Sequence, residues 1–275
     1  MPVSLVIRDG TPYWWNSPDI WVVPGNDPNG TPGSPVAGQP AFVWARVQNQ
    51  GDVPALGAQV KYYWANPAAG VLRSNSTLIG SAFVDLGPGE VKGVLCVVPW
   101  IPVIVNGGHE CLVAEVIHYG DPLPAPPPDD FNPPLYHQIA QKNLTVLAMM
   151  KRMQLLPIEI AAPLRQGKLF VVTLELGGEL NEELLCQLGL PGRRPYVPPD
   201  FQVSLSLKPG CEDADTGEWM REVELKLGPG ERTAVYLAVR PPKMPAQTYT
   251  LIQVVSRERE RLSGGVTFVL VDEEG

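Results

Sequence analysis

Apolar and polar residues alternate in short runs along this chain, and glycine and proline separate the runs. From 41 to 49 (AFVWARVQN), Phe42, Trp44, Arg46 and Gln48 fall on one side and Val43, Ala45 and Val47 on the other. That period of two is the signature of a half-buried strand. Residues 203–207 show it again, with Val203, Leu205 and Leu207 on one face and Ser204 and Ser206 between them. Further strand-like runs lie at 59–64 (QVKYYW), 109–119 (HECLVAEVIHY), 168–176 (KLFVVTLEL) and 247–256 (QTYTLIQVVS). One stretch, 181–188, predicts a helix: Asn181 as cap, Glu182 and Glu183 in the first turn, Gly189 as the stop. Short strands between Gly/Pro turns predict an all-β chain of the sandwich type.

The runs also repeat. Leu86-Gly87-Pro88-Gly89-Glu90 recurs as Leu227-Gly228-Pro229-Gly230-Glu231, and each copy leads into an apolar run, VKGVLCVVPW or RTAVYLAVRP. Proline presets one turn position and glycine takes the positive-φ position, so each copy predicts a tight turn between strands. The runs 109–119 and 247–256 follow in the same order. Upstream, QVKYYW (59–64) lines up with QVSLSL (202–207), and AFVWARVQN with KLFVVTLEL. Two copies of one β-domain follow, 1–150 and 151–275, the second with the helix as a short insertion. LTVLAMMKRMQLLPIEI (144–160) reads as the last strand of one domain running into the first of the next. Its apolar character predicts closely packed domains rather than freely tumbling ones. Residues 24–40 and 120–135, rich in Gly and Pro, predict irregular, extended surface segments, ordered or mobile.

Composition narrows the function. The chain has 275 residues, with 27 Gly, 31 Pro and 44% hydrophobic residues. So much Gly and Pro excludes a helical bundle, and so much apolar content excludes a disordered chain. No apolar run is long enough for a membrane span. The net charge of −8 excludes a basic nucleic-acid surface. The densest basic stretch, Arg257, Arg259 and Arg261, interleaves with Glu258 and Glu260 and reads as a solvated strand edge. MPVSLVIRDG has neither the basic start nor the apolar stretch of a secretory signal, which leaves the compartment open. Asn75-Ser76-Thr77 and Asn143-Leu144-Thr145 match the glycosylation acceptor pattern, which matters only for an exported, glycosylated protein.

The charge is unevenly spread. Residues 1–148 carry 6 Lys/Arg and 11 Asp/Glu, whereas 149–275 carry 15 and 18. Six of the seven tryptophans (Trp14, Trp15, Trp21, Trp44, Trp64, Trp100) fall in the first half. Interface cores are depleted in charge and enriched in aromatics, so the first half is expected to be partly covered by copies of itself or by a protein partner. The favoured contact is the segment from Tyr13 to Trp21, with Trp14, Trp15 and Trp21, because adjacent Trp14 and Trp15 cannot both face the core of one strand. The alternatives are a buried N-terminal strand and an exposed sugar-stacking platform of indoles.

Catalytic chemistry is not expected. GxSxG, P-loop, HExxH and GxGxxG patterns are absent. Of the three histidines, His118 shares a strand face with Leu112, Ala114 and Val116 and reads as a core or rim residue. His109, Glu110, Cys111 and Cys96 are a conceivable metal set, but zinc sites favour two closely spaced ligand pairs and only one is present. No metal or cofactor is therefore expected. Buried free thiols are the default for Cys96, Cys111, Cys186 and Cys211; a Cys96–Cys111 disulfide, on consecutive strands, is the alternative in an oxidising compartment. Glu212 to Glu218 (EDADTGE) has the acidic spacing of a calcium loop but lacks its third ligand and its final glutamate, and reads as a solvated hairpin.

The run GQPAFVWARVQNQGDVPALGAQVKYYWANP, followed by LGPGE with its apolar strand and by HECLVAEVIHYGD and NPPLYHQIAQKNLTV, resembles bacterial immunoglobulin-like domains of the cell-adhesion-related (CARDB) type. The second copy, LGPGERTAVYLAVRPPKMPAQTYTLIQVVS and GGVTFVLV, is similar to related domains of bacterial surface proteins and glycosidases. Residues 120–135 lengthen the usual loop. The resemblance implies two tandem immunoglobulin-like sandwiches, a cell-surface or extracellular setting, and a spacer, adhesive or assembly role without catalytic residues. A carbohydrate-binding module is the second reading.

Overall fold

The computed structural model describes residues 2–103, 109–148, 153–209, 220–240 and 242–272. Among the described residues the chain is all-β apart from a one-and-a-half-turn helix and a single 3-10 turn at Arg73–Asn75. It divides into two compact units: Met1–Asn66, Val71–Asn143 and Cys186–Gly189 make the first, and Pro67–Gly70, Leu144–Leu185 and Leu190–Gly275 the second. Among the described residues no helix is long and apolar enough to cross a membrane.

In the first unit, β1 (Leu5–Val6), β2 (Ile20–Pro24) and β6 (Val91–Leu95) all pair with β3 (Ala41–Asn49). A second sheet has the order β5-β4-β7-β8, from β5 (Thr77–Leu86), β4 (Ala55–Ala65), β7 (Cys111–Ile117) and β8 (Ile139–Lys142). The alternation in β3 sends Val43, Ala45 and Val47 inward, where they meet Val60, Tyr62, Leu112, Ala114 and Val116 from the other sheet in one core. Tyr62 is wholly buried, and its hydroxyl donates to the Val94 carbonyl at 2.7 Å, linking β4 to β6. Both Gly/Pro-rich segments are tied down. Gly25, Gly33 and Gly38 donate backbone bonds to Pro40, Val22 and Pro102, and Phe131 and Arg73 exchange backbone bonds with Val71 and Asp129.

In the second unit, β10 (Gln154–Ala161), β15 (Arg232–Arg240) and β13 (Gln202–Ser206) form one sheet, in the order β10-β15-β13. The other sheet runs β14-β11-β16-β17-β9, from β14 (Glu222–Leu227), β11 (Lys168–Leu176), β16 (Thr248–Glu258), β17 (Arg261–Val271) and β9 (Leu144–Ala148), with β12 (Arg194–Pro195) alongside β16. Helix α1 (Glu182–Gln187) lies between β11 and β12, and Asn181 Oδ1 caps it by accepting the Leu184 N–H at 2.8 Å. Ile158, Val172, Val203, Leu237, Val254 and Phe268 are among the buried residues that join both sheets in a single core.

The repeated turn has the same geometry twice. Gly87 N donates to Glu90 Oε2 and Gly228 N to Glu231 Oε2, each at 2.7 Å. Gly89 and Gly230 both sit at φ +71°, a conformation open to glycine at little cost. The strand orders β5-β4-β7-β8 and β14-β11-β16-β17 correspond, as do the pairs β3–β6 and β10–β15.

This pairing corrects the upstream matching of the sequence runs. Gln48 lies opposite Val91 and Ala161 opposite Arg232, so the counterpart of 41–49 is β10, not 168–176. Ala55 lies opposite Leu86 and Lys168 opposite Leu227, so the counterpart of 59–64 is β11, not 202–207. The offset is 113 residues before the turn (48 to 161, 55 to 168) and 141 at it (86 to 227), because α1, β12 and β13 fill the stretch between β11 and β14. Leu144–Ala148 is likewise no last strand of the first unit; it runs parallel to β17 in the second. The Arg257–Arg261 stretch is not one strand either: Arg259, at φ +56°, makes the turn from β16 to β17, and Arg257 bonds Thr173 and Glu175.

Candidate interaction surface

The segment before β2 is a turn held by one buried carboxylate. Asp19 accepts from Arg8 Nε at 3.0 Å and Nη2 at 2.6 Å, and from Arg46 Nη1 at 3.0 Å. Ser17 Oγ donates to Arg8 O and accepts the Asp19 N–H, closing the turn. Trp14 and Trp15 lie in this turn, not on a strand, so the period-two rule does not govern them: Trp15 is fully buried and Trp14 is 7% exposed. Their rings meet edge to face at 5.5 Å. Trp21 is half-buried on the outer side of β2, stacked on Trp44 with ring centres 5.8 Å apart, with the Arg46 guanidinium 5.7 Å from its centroid. Trp44 is anchored by donating Nε1–H to Pro28 O at 3.0 Å.

Strand alternation separates the two cysteines proposed to pair. Cys96 belongs to the core between the two sheets of the first unit, whereas Cys111 lies with Ala65, Val113, Phe131 and Ile139 on the outer face of β4-β7-β8. Neither is in a disulfide, so the expected Cys96–Cys111 pairing is corrected, and burial pushes the Cys96 thiol up from its ordinary pKa. The same separation keeps Cys96 from completing a site with His109, Glu110 and Cys111. Among the described residues no group of three His, Cys, Asp or Glu is arranged to hold a metal ion. Burial lowers the pKa of His109, while Glu110 accepts the Val103 N–H. The acidic run Glu212–Glu218 and Cys211 lie outside the described residues.

His118 has both ring nitrogens engaged with backbone. Gly120 N–H donates to Nδ1 at 3.0 Å, so Nδ1 carries no proton and Nε2–H donates to Leu56 O at 3.2 Å. On the outer face of β7, Glu115 is buried and takes two bonds from Arg73, at 3.1 and 2.5 Å. Arg73 also reaches Pro128 O and lies over the Phe131 ring, which fastens the proline-rich segment to the sheet. Burial, and next the Glu115 carboxylate, push the Tyr63 phenol up to about 12.

The surface feature that sequence reasoning did not single out is β5. It forms the edge of its sheet, and over ten residues (TLIGSAFVDL) it carries one charge, Asp85. Phe83 is 70% exposed and Leu78 54%. Val98, also exposed, packs against Gly80, and Val97 beside it is 66% exposed. The corresponding edge β14 (EVELKL) turns Glu222, Glu224 and Lys226 outward and buries Val223, Leu225 and Leu227. Among the described residues, eleven of the sixteen exposed large apolar side chains belong to the first unit. Run length and missing charge at 77–86 were the available signals.

No family model matches the chain, and no curated protein matches it. Among solved structures it is similar to the CARDB domain of a Pyrococcus furiosus protein, crystallised in complex with di-metal ions: 17% identity over 51% of this chain and 85% of that one, TM-score 0.30. It is also similar to a Paenibacillus cycloisomaltooligosaccharide glucanotransferase complexed with cycloisomaltoheptaose, at 16% identity, 37% of this chain and 12% of that one, TM-score 0.24. Red sea bream transglutaminase matches at 12% identity over 92% of this chain and 31% of that one, TM-score 0.23. Likenesses this loose define neither the fold nor the role of the chain.

Proposed function

We propose that this chain is a non-catalytic assembly or adhesive module, built from two tandem immunoglobulin-like β-sandwiches, the second beginning with Leu144–Ala148 and carrying a short helical insertion, and working through its first half. The observation that carries this reading is the concentration of exposed apolar side chains in the unit with the lowest charge density. The engagement of both His118 nitrogens with backbone supports the non-catalytic part, since a general base needs one nitrogen free to take the substrate's proton. Within the N-terminal segment, Trp21 is the tryptophan with ring surface left for a partner, while Trp14 and Trp15 shape the turn behind it. Light scattering on the whole chain across concentration tests the reading. Reversible self-association, or capture of a defined protein partner lost on changing exposed first-unit residues, is the expected result. A chain that binds no protein through this unit would overturn it.

The second reading, a carbohydrate-binding module, draws on the Trp21–Trp44 pair, whose parallel indoles lie at the surface beside Arg46. Mutual stacking leaves fewer free ring faces than two separate indoles would offer. A polysaccharide that shifts tryptophan emission, with the shift lost in Trp21→Ala, would favour it over assembly.

A further inference from the structure

We infer that β5 is a pairing edge for a second copy of this chain, joined antiparallel about a two-fold axis so that two β5-β4-β7-β8 sheets become one continuous sheet. The inference rests on the assembly reading above and gives it a surface and a partner.

An edge strand presents unpaired N–H and C=O groups, and soluble proteins blunt such edges with charge, proline, bulges or brevity. The two units treat equivalent edges differently. β14 is six residues long with three charged side chains outward, whereas β5 is ten residues long with no proline and a single charge at its end. The blunting devices on β5 lie toward its two ends, a register shift against β4 near Tyr62/Tyr63 at the start and another near Ala55/Ala58 at the finish, where Lys92 Nζ also donates to the Asp85 carbonyl; the stretch from Gly80 to Val84 between them is in regular pairing. Among the described residues no strand pairs with its other side.

Charge identifies the occupant. A charged strand laid against 77–84 would bring its charges beside the exposed apolar Phe83 and Leu78, where the cations at hand are Lys61, opposite Ser81, and Lys92, which already serves Glu90 and the Asp85 carbonyl, so the partner that loses least is itself an uncharged edge. Among the chain's other edges, β14 offers Glu222, Glu224 and Lys226, β10 carries Glu159 and Pro157, and the uncharged β9 and β13 bury nearly all their described side chains, whereas β5 is exposed. β5 meets the requirement by pairing with itself. An antiparallel pairing centred near Ser81–Phe83 sets each Asp85 against the uncharged start of the opposite strand, keeping the two carboxylates apart. Cross-strand apolar contacts then come from Phe83, with Val97 and Val98 flanking the seam. Such an interface is isologous and closes at two copies, which avoids open-ended growth.

Sedimentation equilibrium on the whole chain up to about 1 mM, the upper range of weak association, tests the pairing. The wild type, Phe83→Lys, Leu78→Lys and the control Leu169→Lys, an exposed second-unit position, are compared. Circular dichroism checks that each is folded, which exposed positions should permit. The expected result is a monomer–dimer equilibrium weakened about tenfold or more by Phe83→Lys, weakened less by Leu78→Lys, and unchanged by Leu169→Lys. Association that persists in Phe83→Lys and Leu78→Lys would overturn β5 pairing while leaving the assembly reading standing. A wild type that stays monomeric throughout would also overturn it, and the assembly reading would then need a partner of different sequence.

Discussion

The two units carry one strand order and one turn, yet they dress the same positions in different chemistry. At the LGPGE turns the geometry is the same down to the hydrogen-bond length, because a glutamate reaching back to a glycine N–H and a glycine at positive φ are fixed by residue type. On the outer face of the second sheet the units part. In the first, the Arg73–Glu115 pair lies beneath a proline-rich segment that it also anchors; in the second, the Arg257–Glu175 pair stays about one-third exposed. At the sheet edge they part again, with a bare β5 against a charged β14. The four-strand order and the turn are shared while the connection before the turn and the surfaces differ, so function is to be sought where the units differ.

Breaking the ion pairs should give the widest separation. Arg73→Ala leaves the Glu115 carboxylate buried without its cation and should cost about 3–5 kcal/mol, whereas Arg257→Ala should cost about 0.2–1 kcal/mol. Urea unfolding of the whole chain, followed at two wavelengths to separate the units, reads both; equal costs would show that the proline-rich segment does not shield its pair. Gly89→Ala and Gly230→Ala address what the units share. Each places a Cβ at φ +71° and should destabilise by about 1–2 kcal/mol, by the same amount within error. Unequal losses would mean that the two turns are not energetically equivalent.

A smaller, pH-dependent difference belongs to the first unit. Burial depresses the pKa of His109, so the unfolded chain takes up a proton that the folded one resists. Its contribution is present above the ordinary histidine pKa of about 6.5 and is lost as pH falls below that toward the depressed folded value. Stability should therefore decline between about pH 7 and 5, less steeply in His109→Phe. An identical slope in the variant would place the pH dependence elsewhere.

What could be read in the sequence was whatever a residue type fixes locally. The alternation of 41–49, the Asn181 cap and the LGPGE turn each specify their own backbone, and each is found. The strand equivalences upstream of the turn were misread because a period of two is common to every half-buried strand and aligns as well with a wrong partner as with the right one. Only hydrogen-bond register separates β10 from β11 as the counterpart of 41–49. Cys96 and Cys111 looked pairable because order along the chain does not reveal which face of a sheet each thiol takes. Trp14 and Trp15 looked incompatible with one core only on the premise of a strand, and a turn buries both. The bare edge at 77–86 was legible in principle, as ten residues with one charge, but its importance emerges only once β5 is known to be an edge.

Hydrogen–deuterium exchange of the unmodified chain at low and high concentration tests the central claim most directly, that the first unit associates through the edge the second unit keeps charged. The account predicts that backbone amides of Thr77–Leu86 become more protected as concentration rises, while those of Glu222–Leu227 exchange at the same rate throughout. Equal protection of Thr77–Leu86 at concentrations where light scattering already detects dimers would contradict it.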